Sequence, residues 1–368
     1  MKQFIYSIFC LALVPLAEAQ QRSPEALFRQ WDKNKDGKLL LAELPQNARR
    51  NFSRVDTNKD GAISLEEHVR FLKRPRNAQP PQFQGVKVLC NIPYASTDNP
   101  RQMLDLILPD KREGKEPLPV IAFIHGGGWR NGNKSSGINR VAGLVKTGRY
   151  VGVSIGYRLS GEAIWPAQIH DCKAAIRWLR AHAKEHGMDP DRIAVWGSSA
   201  GGHLVSMLGV TGGVSALEGK LGKHLGQSSR VTAVVNYYGP SALLQMDDHP
   251  GKMKHNAPNS PESLLVGAPI QKAKEKTRQA SPLTHVSADD APHLHVHGTK
   301  DPLVPFHQSQ IYHGALKKAD VESTLITVKD GGHNAPRNVG ENQVRLFLRR
   351  HLYGTGEKLT DETVSSNR

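Results

Sequence analysis

Hydrophobic residues change their spacing along the chain at about residue 86. From there, short runs rich in Val and Ile alternate with segments whose apolar residues recur at helical spacing. The runs are VIAFIH (120–125), YVGVSIGY (150–157), RIAVWG (192–197), VTAVVNYYG (231–239), HLHVHG (293–298) and STLITV (323–328). One of the helical segments, AQIHDCKAAIRWLRAHAKEHG (167–187), ends at a glycine. Apolar strands that alternate with helices predict an α/β fold, a mostly parallel sheet with helices on both faces.

The same pattern divides the chain into segments. An apolar run from Phe4 to Leu16 follows Lys2 and ends in AEA (17–19), so residues 1–19 are predicted to be a secretory signal peptide. The protein is therefore expected to be secreted or periplasmic. Residues 20–74 are polar with a helical pattern. Residues 75–85 contain three prolines and are predicted to form a linker. Residues 86–353 form the predicted α/β domain, and residues 354–368 a polar tail expected to fray.

Composition and charge narrow the choice of partners. Hydrophobic residues make up 38% of the chain and no run is long enough to span a membrane, so a soluble protein is expected. The net charge of +15 favours attraction to polyanions, but the basic residues are scattered and no nucleic-acid-binding motif accompanies them. Nucleic acid is therefore not expected as a partner. Cys90 and Cys172 remain after signal removal and are predicted to be buried free thiols, with a disulfide left open.

Two segments of the front part, DKNKDGKLLLAE (32–43) and DTNKDGAISLEE (56–67), fit the pattern D-x-[DN]-x-[DN]-G-x5-E completely. Calcium needs oxygen ligands at loop positions one, three and five, a carbonyl at seven, a bidentate carboxylate at twelve and a glycine at six. The ligand positions hold Asp32, Asn34, Asp36, Lys38 and Glu43, then Asp56, Asn58, Asp60, Ala62 and Glu67. A metal-free polar turn would explain one such loop but explains two in matched register poorly.

The two loops resemble an EF-hand pair, which implies a small all-α module that binds calcium. Leu39 and Ile63 occupy position eight, where paired loops meet through a short strand contact. The loops begin at residues 32 and 56, 24 residues apart, and Pro45 lies between them, so a short exit helix is predicted. This spacing is similar to the dockerin modules of extracellular enzymes, but the helix before each loop favours a true EF-hand. Structural calcium is expected, and a protein or matrix partner of the module stays open.

A candidate nucleophile follows the run RIAVWG. The pattern G-x-S-x-G needs glycine two residues on either side of the serine, because strand and helix crowd together at that turn. The segment GSSAG (197–201) matches when it is centred on Ser199, whereas Ser198 would need glycines at Trp196 and Ala200. Ser199 is therefore the predicted nucleophile.

A glycine run supplies candidate oxyanion donors. In FIHGGGWRNG (123–132) the glycines come just after a strand, where the main chain can approach a substrate closely. Attack on an ester carbonyl places negative charge on oxygen, which fixed N–H groups stabilise. Gly127, Gly128 and the N–H of Ala200 are the predicted donors, and His125 is predicted to be structural.

Chain order selects the base and the acid. A nucleophilic serine needs a histidine base, and the base needs a carboxylate to hold its tautomer. In an α/β fold with a G-x-S-x-G turn, the three residues follow strands in the order serine, acid, histidine. Asp301 follows HLHVHG and His333 follows STLITV, so these two are predicted to complete the triad. Asp289 and Asp290 precede their strand, and Asp330 lies too close to His333 to be favoured. His293, His295 and His297 lie within a strand, where core or supporting roles suit them better.

With these motifs, residues 86–352 resemble an α/β-hydrolase of the esterase/lipase group with an HGGGW oxyanion loop, similar to secreted feruloyl- and acetyl-xylan-esterase-like enzymes. The segments GYRLSGEAIWPAQIHDCKAAIRWLR, DPDRIAVWGSSAGGH and HGTKDPLVP carry the likeness. The family's nucleophile, acid and base fall on Ser199, Asp301 and His333. Ser198 stands where the related hormone-sensitive-lipase branch usually has aspartate. Residues 240–285 resemble an insertion over the site that would shape acyl-group choice.

The resemblance implies a secreted serine carboxylic-ester hydrolase that needs no catalytic cofactor. Its expected substrates are acetyl or hydroxycinnamoyl esters of polysaccharide, and Trp129 and Trp165 are candidates for stacking on rings or for core packing. Two alternatives remain open at this stage. A serine exopeptidase can share the fold and the triad, and a catalytically inactive hydrolase-like protein would only bind.

Overall fold

The computed structural model describes residues 24–49, 51–73, 83–249, 251–334 and 339–365. It divides into two compact units, Met1–Gln79 and Pro80–Arg368. The predicted signal peptide and most of the predicted linker lie outside the described residues. Each unit is described by itself.

The described residues of the front unit, 24–49 and 51–73, form four short helices and two short strands. The helices are Pro24–Trp31 (α1), Gln46–Arg49 (α2), Phe52–Val55 (α3) and Leu65–Lys73 (α4), and the strands are Lys38–Leu39 (β1) and Ile63–Ser64 (β2). The two strands pair antiparallel, with Leu39 opposite Ile63, as the loop pattern predicts. Both side chains are buried beside Phe28, Leu44 and Val55, so the strand contact also forms the small core. The helix after the first loop, α2, has four residues, in keeping with the predicted short exit helix.

The described residues of the second unit form a nine-stranded sheet flanked by helices. Its strands are Val86–Pro93 (β3), Met103–Pro109 (β4), Leu118–Ile124 (β5), Val151–Ile155 (β6), Met188–Ser198 (β7), Ala233–Tyr237 (β8), His293–Gly298 (β9), Ser323–Lys329 (β10) and Glu362–Ser365 (β11). Its helices are Ser135–Val145 (α5), Ala167–Ala181 (α6), Ala183–His186 (α7), Ala200–Val210 (α8), Ser215–Glu218 (α9), Pro261–Val266 (α10), Lys274–Gln279 (α11), His307–Lys318 (α12) and Glu341–Tyr353 (α13).

The strand order is β11-β10-β9-β8-β7-β5-β6-β4-β3. Among the described strands of this sheet, β4 runs antiparallel to both neighbours and the remaining pairs are parallel. Consecutive residues of β5 face opposite sides, because Val120 and Ala122 pack in one apolar cluster and Ile121 and Phe123 in another. The first cluster includes side chains of α6 and α8, and the second includes side chains of α5 and α13. Helices therefore cover both faces, as the alternating pattern predicts.

Two details differ from the sequence-based expectations. Residues 362–365 of the polar tail form β11, which pairs parallel with β10, so this stretch extends the sheet instead of fraying. Polar residues suit an edge strand because one side faces solvent. Cys172 is buried on α6 and free as expected, but Cys90 is free and exposed on the edge strand β3, where fewer neighbours cover it. Within the described residues, no helix combines the length and apolarity needed to cross a membrane.

Candidate active site

Ser199 lies in a sharp turn between β7 and α8. Its backbone has φ 55° and ψ −123°, a conformation that costs a non-glycine residue about 1–3 kcal/mol. The flanking glycines make this turn sterically feasible. A Cβ atom on Gly197 would lie 2.3 Å from the Gly201 carbonyl oxygen, and one on Gly201 would lie 2.1 Å from that of Ile124. The G-x-S-x-G spacing is therefore required by backbone crowding at this position.

Three predicted residues meet at the carboxyl edge of the sheet. Ser199, Asp301 and His333 follow β7, β9 and β10, and parallel strands bring their carboxyl ends to one edge. His333 Nε2 lies 3.0 Å from Ser199 Oγ, and His333 Nδ1 lies 2.7 Å from Asp301 Oδ2. With a proton on Nδ1, the imidazole donates to the carboxylate and presents Nε2 as an acceptor to the serine hydroxyl. This arrangement can remove the proton from Ser199 Oγ during nucleophilic attack.

The Asp301 carboxylate is held in its charged form. Burial by itself would raise its pKa, but hydrogen bonds from His297 and His333 hold the pKa well below its ordinary value. The other oxygen, Oδ1, accepts from the backbone N–H groups of Leu303 at 2.8 Å and Val304 at 2.9 Å. A charged, fully hydrogen-bonded carboxylate can stabilise the imidazolium that forms when His333 takes a proton.

The predicted oxyanion donors lie around the same serine. Gly127, Gly128 and Ala200 line one pocket with Ser199 and His333, and Ala200 opens helix α8. Within the described part of the chain, no protein group accepts a hydrogen bond from the backbone N–H of these three residues. Gly127 and Gly128 have φ angles of 114° and 59°, which glycine adopts freely. The three N–H groups are thus available to a ligand oxygen.

The pocket around Ser199, called here the Ser199 pocket, has a volume of about 410 Å³. Its walls are largely apolar and include Trp129, Tyr238, Pro240, Met253, Pro261, Leu303 and Val304. Met253 and Pro261 come from the segment 240–285, which therefore borders the site as expected of an insertion. Trp129 and Trp165 are both buried in the main core cluster, and Trp165 is not among the residues that line the pocket. Core packing is thus the role that burial favours for Trp165.

Among the residues set aside in the sequence analysis, His125, Asp289 and Asp330 have contacts outside the triad. The buried ring of His125 stacks on Tyr157 at 4.3 Å between centroids, and burial lowers its pKa to about 4. Asp330 is exposed and pairs with Lys300 at 2.8 Å, while Asp289 pairs with Arg230 at 2.7 Å.

Three further residues lie at the site, and the sequence analysis gave a core or supporting role to His297 alone among them. His297 Nε2 lies 3.3 Å from Asp301 Oδ2, the ring of Tyr238 lies 4.7 Å from that of His333, and Glu262 lines the pocket. Tyr238 and Ser198 both line the pocket. His297 lies on β9, four residues before Asp301, and this spacing could have indicated the contact. Nothing local in the sequence distinguishes Tyr238 or Glu262, because distant segments bring them to the pocket.

The two loops of the front unit have the internal hydrogen bonds of a cation-binding turn. Gly37 N donates to Asp32 Oδ2 at 3.0 Å, and Gly61 N donates to Asp56 Oδ2 at 3.1 Å. The second oxygens, Asp32 Oδ1 and Asp56 Oδ1, are buried without a hydrogen-bond partner among the described residues, as a metal-ligating oxygen would be.

The closing carboxylates of the loops accept backbone hydrogen bonds instead. Glu43 accepts from Leu40 N at 2.9 Å, and Glu67 accepts from Thr57 N at 2.8 Å. In the part of the chain that is described, no three His, Cys, Asp or Glu side chains are gathered as a metal would require. Each closing carboxylate would therefore have to turn toward an ion in order to complete its shell.

The order of the triad along the chain, its position at the strand ends and the glycine loop beside it define the class of protein. The fold and the site are those of an α/β-hydrolase of the esterase group.

Within that class the chain belongs to the family BD-FAE, whose model matches residues 104–316, more than half of the 368 residues. An EF-hand model matches residues 51–72. These matches confirm the predicted fold class and the resemblance to esterases with an EF-hand module.

Known proteins show the same likeness. A probable carboxylic ester hydrolase of Mycobacterium tuberculosis, LipM, is 34% identical over 56% of this chain and 47% of its own length. The chain thus spans about half of that relative. A truncated carbohydrate esterase from gut microbiota is 32% identical over 67% of this chain and 89% of that one, with a TM-score of 0.62. A bifunctional GH43-CE protein of Bacteroides eggerthii is 33% identical over 71% of this chain and 34% of that one, with a TM-score of 0.64.

Proposed function

We propose that the chain is a secreted serine carboxylic-ester hydrolase that acts through an acyl-enzyme on acetyl or hydroxycinnamoyl esters of polysaccharide. The observation that carries this proposal is the hydrogen-bonded line from Asp301 through His333 to Ser199, with distances of 2.7 and 3.0 Å. Carboxylic ester hydrolases among the relatives support the reaction class. The apparatus is that of acyl transfer to a serine.

The reaction follows from these contacts. Ser199 Oγ attacks the acyl carbon while His333 Nε2 takes the hydroxyl proton, and the N–H groups of Gly127, Gly128 and Ala200 stabilise the oxyanion. Collapse of the tetrahedral intermediate breaks the ester bond, and His333 returns the proton to the leaving alcohol. A water molecule that gives its proton to His333 then attacks the acyl-enzyme. The acid is released and the Ser199 hydroxyl is restored.

The substrate class is proposed from the pocket and the neighbours. A pocket of about 410 Å³ with apolar walls suits a short acyl group or a single aromatic ring. The two helices of the bordering segment, α10 and α11, have six residues each, shorter than a helical lid for a lipid interface would need. The carbohydrate esterase neighbour from gut microbiota favours a sugar on the alcohol side.

For the front unit we propose calcium held by the two loops. The orphaned oxygens of Asp32 and Asp56 suit a hard cation that prefers oxygen ligands. The remaining ligands would be Asn34, Asp36, the Lys38 carbonyl and Glu43, and in the second loop Asn58, Asp60, the Ala62 carbonyl and Glu67. Such an ion would bring the loop carboxylates together without taking part in ester hydrolysis.

Paired assays test the reaction class. The full-length chain is expected to hydrolyse p-nitrophenyl acetate, methyl ferulate and acetylated xylan and to leave aminoacyl-p-nitroanilides intact. Comparable cleavage of an anilide would favour the exopeptidase alternative. Absence of turnover on every ester in folded protein would favour the inactive binding protein. A rate that climbs with acyl length to long-chain esters would contradict the short-acyl proposal.

A further inference from the structure

A buried acidic side chain lies in the wall of the Ser199 pocket and has no part in the mechanism above. Glu262 is 3% exposed and belongs to α10, whose first residue, Pro261, packs against the oxyanion loop. A Cβ atom added to Gly128 would lie 3.2 Å from Pro261 Cβ. The start of α10 is therefore in contact with one of the oxyanion donors.

The position of Glu262 is fixed by its neighbours. The Ser260 hydroxyl caps α10 by accepting from Ser263 N at 3.1 Å. The hydroxyls of Ser260 and Ser263 both donate to the His255 carbonyl oxygen, at 2.5 Å and 3.3 Å. His255 is 2% exposed, and its Nδ1 lies 3.0 Å from Glu262 Oε1, a contact that lacks hydrogen-bond geometry and leaves Nδ1 without a hydrogen-bond partner among the described residues. The carboxylate is thus held beside one imidazole at the pocket wall.

The second oxygen of this carboxylate lacks a hydrogen-bond donor among the described residues. Glu262 Oε2 is shielded from solvent and has no hydrogen-bond partner among the described residues. A buried oxygen without a hydrogen-bond partner is energetically unfavourable until a donor reaches it. The neighbouring pocket walls, such as Trp129, Met253 and Leu303, offer apolar surface. The terminal torsion of a glutamate is soft, so a donor that enters the pocket can draw an oxygen toward itself.

We propose that Glu262 is a specificity-determining residue that accepts a hydrogen bond from a hydroxyl of the substrate. This inference rests on the proposed ester hydrolysis and narrows its substrates to esters that carry a free hydroxyl near the scissile bond. Two sources share that chemistry, the phenol of a hydroxycinnamoyl acid and a sugar hydroxyl beside the esterified one. In both cases the hydroxyl would supply the donor that Oε2 lacks.

Two substrate pairs, each differing by one hydroxyl, separate these sources. Methyl 4-hydroxycinnamate against methyl cinnamate tests the acyl side, and trans-2-hydroxycyclohexyl acetate against cyclohexyl acetate tests the alcohol side. A hydrogen bond to a charged group is worth about 10- to 100-fold in rate. The full-length chain should therefore prefer the hydroxylated member of at least one pair by that factor in kcat/KM, and the preferred pair identifies the source.

Variants assign the preference to Glu262. Glu262→Leu should bring the kcat/KM ratio of that pair to about one, and Glu262→Gln, which keeps an acceptor of the same shape, should retain part of it. If the leucine variant does not fold, the glutamine variant decides. Glu275→Gln, an exposed change on α11, is the matched control and should leave the ratio unaltered.

The outcomes distinguish the two proposals. A wild-type ratio near one in both pairs, or a ratio that Glu262→Leu and Glu262→Gln leave intact, overturns the role of Glu262 while ester hydrolysis stands. Equal losses on both members of a pair indicate a merely structural role and overturn it as well. A wild-type chain that hydrolyses none of the four esters overturns the proposed function together with this inference.

Discussion

His297 Nε2 lies 3.3 Å from Asp301 Oδ2, the same carboxylate oxygen that accepts from His333 Nδ1 at 2.7 Å. The ring of His297 is fully buried, and its Nδ1 shares a hydrogen bond with Ser309 Oγ at 2.7 Å. The carboxylate therefore stands between two imidazoles, one within the core and one facing Ser199. His297 Nε2 also lies 3.0 Å from the Val304 carbonyl oxygen, and the Val304 N–H donates to Asp301 Oδ1. His297 is therefore a positioning residue for the acid, because its ring contacts both the carboxylate and the loop that holds it.

The first prediction compares two aspartates near His333. Asp301→Asn should lower kcat by about 10²- to 10⁴-fold, because an amide cannot hold the Nδ1–H tautomer or stabilise the imidazolium. Asp330→Asn should cost little, since Asp330 is exposed and pairs with Lys300. Steady-state kinetics on p-nitrophenyl acetate measure both. The reverse ranking would move the acid to Asp330.

The second prediction concerns adjacent serines. Ser199→Ala should lose about 10³-fold or more of turnover, because the attacking oxygen is removed. Ser198→Ala should keep much of it, since Ser198 lines the pocket but the hydrogen-bonded line from Asp301 through His333 ends on Ser199. An active-site label such as a fluorophosphonate should react with the Ser198→Ala variant and fail on Ser199→Ala. Comparable losses in two folded variants would contradict the assignment of the nucleophile.

The sequence predicts the positions that chain order and local geometry determine. The elbow at Ser199 is local, because Gly197 and Gly201 are needed within one turn. Asp301 and His333 follow strands, and the parallel sheet brings such loops together. Glu262 and Tyr238 could not be found in that way, since their places depend on how the segment 240–285 and β8 pack around the pocket. The strand β11 was missed because an edge strand needs no apolar run.

The third prediction is a loss of stability in mild acid. Burial lowers the pKa of His203 and His293 to about 4 in the folded protein, below about 6.5 in an unfolded chain. Between these values the unfolded chain binds more protons, so the free energy of unfolding rises with pH and falls as the solution is acidified.

Thermal melts of the full chain at intervals from about pH 7 to about pH 5 measure this effect. Tm should fall across that window. His293→Asn should reduce the slope of the free energy of unfolding against pH by up to about 1.4 kcal/mol per pH unit. His249→Asn, at an exposed site, should leave that slope unchanged. A Tm that stays constant across the window would show that these buried rings take up protons without opening the fold.

The last prediction separates calcium from ester chemistry. Without an ion, Asp32, Asp36 and Glu43 repel one another in the first loop, as do Asp56, Asp60 and Glu67 in the second. Binding free energy therefore adds to the stability of the front unit, about 2.7 kcal/mol when free calcium is a hundred times the dissociation constant. EDTA should lower the melting transition of this unit and leave turnover of p-nitrophenyl acetate almost unchanged, because Ser199, His333 and Asp301 all lie in the second unit.

Variants of the loops test the same separation. Replacing both first-position ligands, by Asp32→Ala with Asp56→Ala, should abolish the calcium-dependent gain in melting temperature and leave kcat unaltered. Glu66→Gln, an exposed change beside the second loop that removes no predicted ligand, is the control and should keep the calcium response. If EDTA stops ester hydrolysis before any unfolding is detected, the calcium loops shape the Ser199 pocket and the two roles are not separate.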